Sequence, residues 1–412
     1  MLLPRLRALP RRARLALTTG TVALAVLVVG GAVALVPALS GDADAASACR
    51  QAPDSARRLA ADPRRATDAL DPGEDMRRTE PLRRLLRTGE VPLCEGAKGT
   101  EAAGRALVAA ATGAPDGARD TRDAGDAGDA RDAQPHTAAQ ARIVHGAVVL
   151  LGEDPYDEAD FPLALAPYIA RVLAAYIGDV RRDIDYPAER DWPRPTATRD
   201  EARYEDGSGN WSEPFPNGRD VHAVFSVAQA SQRLKAVVHH AVADPHAYAI
   251  LYDAERAHFA AYLERLDDDA SEPGHSGPDG LMGTEVEFSR TTGFLAVLAR
   301  SRTSHVEDGT VPDLAAFDRA VLRHTRGTYL AADHRVTSRP PMATVAQRRP
   351  DAGPGPGTGP EKGERAVARL LDTRVRLFET FDAWAKDRDV PEGTAQRLRT
   401  ALETRYTRAL AY

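Results

Sequence analysis

The chain has 412 residues, of which 43% are hydrophobic and 28% are charged, and it carries a formal net charge of −6 with two cysteines. This apolar content is enough to form a core, so a wholly disordered protein is excluded. Two cysteines exclude a disulfide-dense scaffold and a four-thiolate zinc site, and the acidic balance argues against any nucleic-acid partner.

Arginine is far commoner than lysine along the chain. Only four of the 54 basic residues are Lys, which together with the abundant Ala, Gly and Pro is typical of a GC-rich bacterial genome. Arginine abundance is therefore not by itself a functional signal.

The amino terminus predicts membrane insertion. A basic tail, residues 1–14, precedes an uncharged run of 25 residues, 15–39. As a helix this run would extend about 37 Å, enough to cross a hydrocarbon core of ~30 Å. Arginines before the run and Asp42 and Asp44 after it predict that the N-terminus stays inside and that the rest of the chain is extracytoplasmic.

Two interpretations of this segment stay open. The length of the run favours a retained single-pass anchor, whose partner is the lipid bilayer through residues 15–39. The Gly30-Gly31 pair, Pro37 and the small residues ending at Ala48 favour a cleaved signal peptide and a secreted protein. Either interpretation exports everything that follows.

Export gives the two cysteines a meaning. Cys49 and Cys94 both lie in the exported part, and an oxidising compartment allows them to form a disulfide. The alternative is two unpaired thiols.

The rest of the chain divides by composition into five segments. The predicted segments are a juxtamembrane helical segment at 40–112, a disordered linker of small and charged residues at 113–136, a central helical domain at 137–335, a Pro/Gly-rich linker at 336–363 and a C-terminal helical hairpin at 364–412. Short helices are expected at 54–61, 80–87 and 100–111, and the hairpin is expected to turn near residues 387–391.

The central domain shows helical spacing of apolar residues and no clear alternating strands, so the predicted fold class is all-α. Thr137 with Gln140, and Thr284 with Glu287, have the spacing of capping boxes. Asp220 is expected to open a helix that runs through His240, and Asp244 precedes a Pro at the first position of another helix.

Few residues have the spacing of a catalytic or metal-binding motif. Glu255 and His258 have the Glu-x-x-His spacing of di-iron helical bundles, with His239 and His240 as the nearest further ligands. The other ligands of such a set are missing from the sequence. The favoured interpretation is therefore that Glu255 and His258 lie on a polar helix face. The sequence predicts no cofactor and no catalytic residue.

The stretch 185–219 is irregular, rich in proline and carries Trp192 and Trp211. Exposed aromatic residues on such a loop commonly serve recognition, although packing beneath the loop is the favoured interpretation. The sequence as a whole favours a non-enzymatic interaction or scaffold module that binds an envelope protein or a cell-wall partner. The alternative is an envelope enzyme, either a wall-active hydrolase or a metal-dependent oxidoreductase.

Overall fold

The computed structural model describes eleven stretches of the chain. The described stretches are 49–86, 93–114, 136–152, 161–185, 194–198, 204–205, 211–212, 221–226, 230–266, 281–325 and 373–411. The uncharged run at 15–39 and Trp192 lie outside them.

The described residues are mostly helical, which confirms the all-α class at that level. The first eight helices are α1 Asp54–Ala61, α2 Pro63–Leu70, α3 Glu80–Leu86, α4 Thr100–Thr112, α5 Ala138–Leu151, α6 Ala166–Ala175, α7 Ile177–Asp185 and α8 Ala230–Ala241. The next five are α9 Pro245–Arg265, α10 Leu281–Glu307, α11 Leu314–His324, α12 Thr373–Asp387 and α13 Glu392–Ala411.

Between α7 and α8 the described residues include four short strands, although the sequence pattern predicts none there. Strand β1 (Thr196–Thr198) pairs antiparallel with β4 (Val221–Ala223), and β2 (Tyr204–Glu205) pairs antiparallel with β3 (Trp211–Ser212). The two ladders form separate two-stranded sheets.

Helix α4 joins the first helices to the rest of the core. It packs against α1 and α2 on one side and against α6 on another, and α6 packs in turn on α9. Small side chains make this possible: Gly104 lies so close to Tyr168 that an added Cβ would be 2.2 Å from the ring. The 49–112 segment and the central helices therefore share one hydrophobic core, and the boundaries drawn from composition stay a prediction.

The C-terminal helices pack on the two longest helices. Helix α12 packs on α9, and α13 packs extensively on α10. Asp389, between α12 and α13, has a φ of 50°, a left-handed conformation that reverses the chain. Arg399 on α13 contacts Asp382 on α12 at 3.2 Å, so the two helices lie side by side.

Two helix starts agree with the sequence patterns. The main-chain N–H of Gln140 donates to the Thr137 hydroxyl while the Gln140 side chain accepts from the Thr137 N–H, which completes a capping box. Asp244 accepts a hydrogen bond from the main-chain N–H of Ala247 and caps α9.

Two other expectations are wrong. No helix begins at Asp220, because residues 221–223 form a strand and the next helix begins only at Ala230. Thr284 and Glu287 do not form a capping box, because α10 already begins at Leu281 and both residues lie inside it. Glu287 is used instead in a buried ion pair with Arg181.

Within the described part of the chain, no single helix is both long and apolar enough to cross a membrane. Two consecutive segments, Leu163–Ala175 and Ile177–Ile184, meet that test only when taken together, and they are bent by 93°.

Candidate functional site

The candidate metal ligands lie on two helices, and each helix's residues contact different groups. His239 and His240 on α8 have ring centroids 5.4 Å apart, whereas Glu255 on α9 contacts Arg181 of α7. His258, one turn beyond Glu255, is also buried. Among the described residues, no group of three or more His, Cys, Asp or Glu side chains is arranged to hold a metal ion.

Arg181 is the centre of a buried ionic cluster. Its Nη1 donates to Glu255 Oε1 at 3.2 Å and to Thr291 Oγ1 at 2.6 Å, and its Nη2 contacts Glu287. Glu287 also accepts from Arg290 at 2.5 Å. Two guanidinium groups and two carboxylates thus join α7, α9 and α10, and their formal charges balance.

Burial dominates the electrostatics of this cluster. It raises the pKa of Glu255 to about 7, because the low-dielectric surroundings disfavour the carboxylate more than Arg181 favours it. Burial likewise lowers the pKa of Arg181, against the attraction of Glu255. Glu255 Oε2 has no hydrogen-bond partner among the described residues. A carboxyl that titrates near neutrality is typical of catalytic acids and bases, but this one is 0% exposed.

A second buried network joins α7 to strand β4. Asp179 Oδ1 lies 2.9 Å from His222 Nδ1, and Asp179 Oδ2 accepts from the main-chain N–H of Ala223 at 2.9 Å. Burial opposes the ionisation of Asp179, but His222, Arg182 and the Ala223 amide together lower its pKa.

Arg182 completes this network. It contacts both carboxylate oxygens of Asp183, at 2.7 and 2.9 Å, and donates to the Ala223 carbonyl at 2.9 Å. Asp183 in turn accepts from the main-chain N–H of Phe225 at 2.6 Å. Charged side chains of α7 therefore bind the main-chain N–H groups of Ala223 and Phe225, which are then not available for helical hydrogen bonds.

Through β4, the network also positions β1, which belongs to the stretch 185–219 that carries Trp192 and Trp211 in the sequence. Strand β4 pairs with β1 through Ala197 and His222, so α7 fixes both strands. Trp211 lies in β3 opposite Glu205. The role of the two tryptophans in recognition stays a prediction.

Histidines form a third polar cluster, between α8 and α10. His239 and His305 stack with centroids 4.4 Å apart, and His305 Nε2 lies 2.6 Å from the His239 carbonyl oxygen. Burial, with His305 and His240 close by, lowers the pKa of His239 to about 4, against the opposite effect of Asp308. His239 is therefore neutral near pH 7.

A disulfide joins Cys49 and Cys94 and fixes the start of the described chain. Main-chain hydrogen bonds lie on both sides of it: Cys94 N donates to Arg50 O at 2.9 Å, and Ala52 N donates to Lys98 O at 3.0 Å. The pairing expected from the sequence is thus present in this structure, and the redox state of the two cysteines in the cell stays a prediction.

An open groove of about 310 Å³ lies on the surface between α1, α2 and α3. Its lining combines a leucine floor with an arginine rim, formed among others by Arg58, Leu59, Arg65, Leu70, Arg84 and Leu85. We call it the arginine groove. The leucines are buried and the arginines exposed. None of the lining residues that the structure describes is acidic.

Sequence reasoning missed both the arginine groove and the Arg181 cluster. Arginine abundance is not by itself a functional signal in this chain, and the groove exists only where three helices meet. For Arg181 a signal exists: Ile177, Val180 and Ile184 mark a buried face of α7, and Arg181 lies one turn after Ile177.

Comparison of this chain with models of protein families, with curated proteins and with solved structures finds no match in any of the three.

Proposed function

We propose that this chain is a membrane-anchored, extracytoplasmic helical module that binds another component of the bacterial envelope and does not itself catalyse a reaction. The observation that carries the proposal is the arginine groove, an exposed concave surface with an apolar floor and a charged rim. Concave sites with an apolar lining and few polar groups are the usual form of binding sites.

The proposed location rests on two features. The uncharged run at 15–39 follows five arginines and precedes an acidic segment, the arrangement of an inside-to-outside span. Cys49 and Cys94 both follow this run in the sequence and are joined in this structure, and such bonds persist in oxidising compartments. Beyond residue 40 the chain has 49 basic and 60 acidic residues, so the proposed outside part is acidic.

The rest of the fold serves, in this proposal, as a rigid support. The Arg181 cluster and the α7–β4 network connect elements that are far apart in the sequence by buried, directional contacts. Packing of α1 and α2 on α4 links the groove to this support. Binding surfaces on rigid elements lose less conformational entropy when they bind.

An envelope enzyme is the second candidate, and one observation favours it: the pKa of Glu255 is raised to about 7. A carboxyl acts on a substrate only within hydrogen-bond reach of it, and Glu255 is enclosed and bound to Arg181. The enzyme candidate predicts that Glu255→Gln abolishes hydrolysis of purified cell wall by the full chain, or that the purified full chain holds a transition metal. Neither result is expected for an interaction module.

Site-specific photo-crosslinking of the full chain in its own cells tests the proposal. The photoreactive residue replaces Ala69, which lines the arginine groove, or its exposed neighbour Asp68, which does not. We expect a discrete adduct with an envelope component from position 69 and none from position 68. Equal labelling from both positions, or none from either, would contradict the proposal.

A further inference from the structure

We propose that the arginine groove recognises a short acidic segment of a partner protein, with one apolar side chain between carboxylates. This inference rests on the proposed function and names the chemistry of the partner. It follows from the charges on the rim, the apolar floor and the way that the groove is held.

The rim offers cations that are available for a ligand. Arg58 and Arg65 make no side-chain ion pair among the described residues, and both are exposed. Arg84 contacts Glu80 at 3.0 Å, but both side chains are more than half exposed, so this pair is weak and open to exchange. Guanidinium groups bind carboxylates through two parallel hydrogen bonds, so the rim suits a ligand with several carboxylates.

The floor restricts the ligand further. Leu59, Leu70 and Leu85 are buried beneath the groove, where they are 8%, 3% and 2% exposed. A polyanion without apolar groups, such as a polyol phosphate of the cell wall, would leave this floor without a contact. A peptide with a leucine or phenylalanine between acidic residues covers the floor and reaches the rim, and about 310 Å³ accommodates only a short segment.

Hydrogen bonds hold α2, which lines one side of the groove, against its neighbours. On α2, the Thr67 hydroxyl donates to the Ala110 carbonyl of α4 at 2.8 Å, and the Arg78 side chain donates to the carbonyls of Asp68 and Asp71. The Cys49–Cys94 disulfide lies close in sequence to α1. A groove fixed in this way requires little ordering on binding.

Fluorescence anisotropy on the detergent-solubilised full chain tests the inference. The probe is a fluorescein-labelled peptide in which one leucine lies between two pairs of glutamates, and two further peptides replace the leucine by serine or the glutamates by lysines. We expect the acidic leucine peptide to bind, the serine peptide to bind more weakly and the lysine peptide not to bind. Binding should weaken as salt is raised.

Matched variants place the binding in the groove. Arg58→Gln/Arg65→Gln removes two rim charges, whereas Arg57→Gln/Arg64→Gln removes two exposed arginines of the same helices that do not line the groove. The first variant should weaken binding by about tenfold or more, as expected for two lost charge-assisted contacts, and the second by less than about twofold. Equal losses in the two variants would overturn the inference.

Vesicles of phosphatidylglycerol distinguish a lipid from a peptide. Vesicle binding that depends on Arg58 and Arg65, without peptide binding, would overturn the inference in favour of a lipid headgroup. If no peptide binds while Ala69 crosslinks to an envelope component, the ligand class is wrong and the proposed function stands. If neither is observed, both fail.

Discussion

Arg181 Nη1 donates a hydrogen bond to Glu255 Oε1 at 3.2 Å in the middle of the helical core, where the two side chains are 2% and 0% exposed. Removing two charges from water costs several kcal/mol for each ion, and their attraction repays this only with good geometry. The pair and its neighbours Glu287 and Arg290 therefore make this region sensitive to single substitutions.

Loss of the Arg181 guanidinium should destabilise the fold strongly. Arg181→Met leaves Glu255 buried without its partner, a change that typically costs about 3 to 5 kcal/mol in the free energy of unfolding. Urea denaturation followed by circular dichroism measures this. The exposed Arg323→Met is the control and should stay within about 0.5 kcal/mol of the wild type. Equal stability of the two variants would contradict the assigned role of Arg181.

The raised pKa of Glu255 predicts a pH effect of defined sign. Its pKa is about 7 in the folded protein and 4.5 without burial, so the folded state binds more protons between these values. This residue therefore contributes stability that is complete below pH 4.5 and is lost as the pH rises to about 7. Relative to Glu255→Gln, the wild type should become less stable across this window, as measured by urea midpoints. A difference that does not vary with pH would exclude the titration.

His239 predicts the opposite dependence at acidic pH. Its pKa is lowered from 6.5 to about 4, so the unfolded chain binds more protons between these values. Its contribution to stability is complete above pH 6.5 and is lost as the pH falls to about 4. His239→Gln should flatten the acid limb of the stability profile, measured by thermal unfolding. An unchanged acid limb would show that His239 does not titrate in this way.

The sequence predicted most of the helical fold but little of its buried polar structure. Helix starts such as Thr137 with Gln140 depend on local hydrogen bonds, which a sequence pattern records. The extended stretch after Asp220 depends on Asp179 and Asp183, about forty residues earlier in the chain, and no local pattern records such a contact. Asp179 accepts from the N–H of Ala223 in the strand and Asp183 from the N–H of Phe225 just after it, so neither N–H is available for a helical hydrogen bond.

The arginine groove could not be predicted from the sequence for a related reason. In a chain with so many arginines, Arg58, Arg65 and Arg84 carry no signal individually, and they become a rim only when α1, α2 and α3 pack together. The cysteine pair was easier to predict because only one intramolecular pairing is available to two cysteines.

Thiol counting tests the disulfide. Under denaturing conditions the full chain should react with a thiol reagent at no position before reduction and at Cys49 and Cys94 afterwards. With a sequence separation of 45 between the linked positions, loop-closure entropy predicts that the double Ser variant loses about 4 kcal/mol. Two reactive thiols without reductant, in protein isolated from its own envelope, would contradict both the pairing and the support that it gives to export.

Gly104 tests the packing of α4 on α6. An added Cβ would lie 2.2 Å from Cγ of Tyr168, too close for any real contact. Gly104→Ala should therefore cost about 1 to 3 kcal/mol despite the higher helix propensity of Ala. Gly393→Ala, where the nearest side-chain atom is 3.6 Å away, should be neutral or slightly stabilising. Thermal unfolding of both variants measures the two effects. A stabilising Gly104→Ala would show that the helices are not this close.

Crosslinking from the arginine groove, with its rim arginines intact or substituted, tests the proposed role of the chain most directly. The photoreactive residue at position 69 is placed in the wild-type chain, in Arg58→Gln/Arg65→Gln and in Arg57→Gln/Arg64→Gln, all as full chains in their own cells. Our account predicts one discrete envelope adduct in the wild type and in the Arg57/Arg64 variant, and its loss in the Arg58/Arg65 variant. The same adduct at the same yield in all three chains would contradict it.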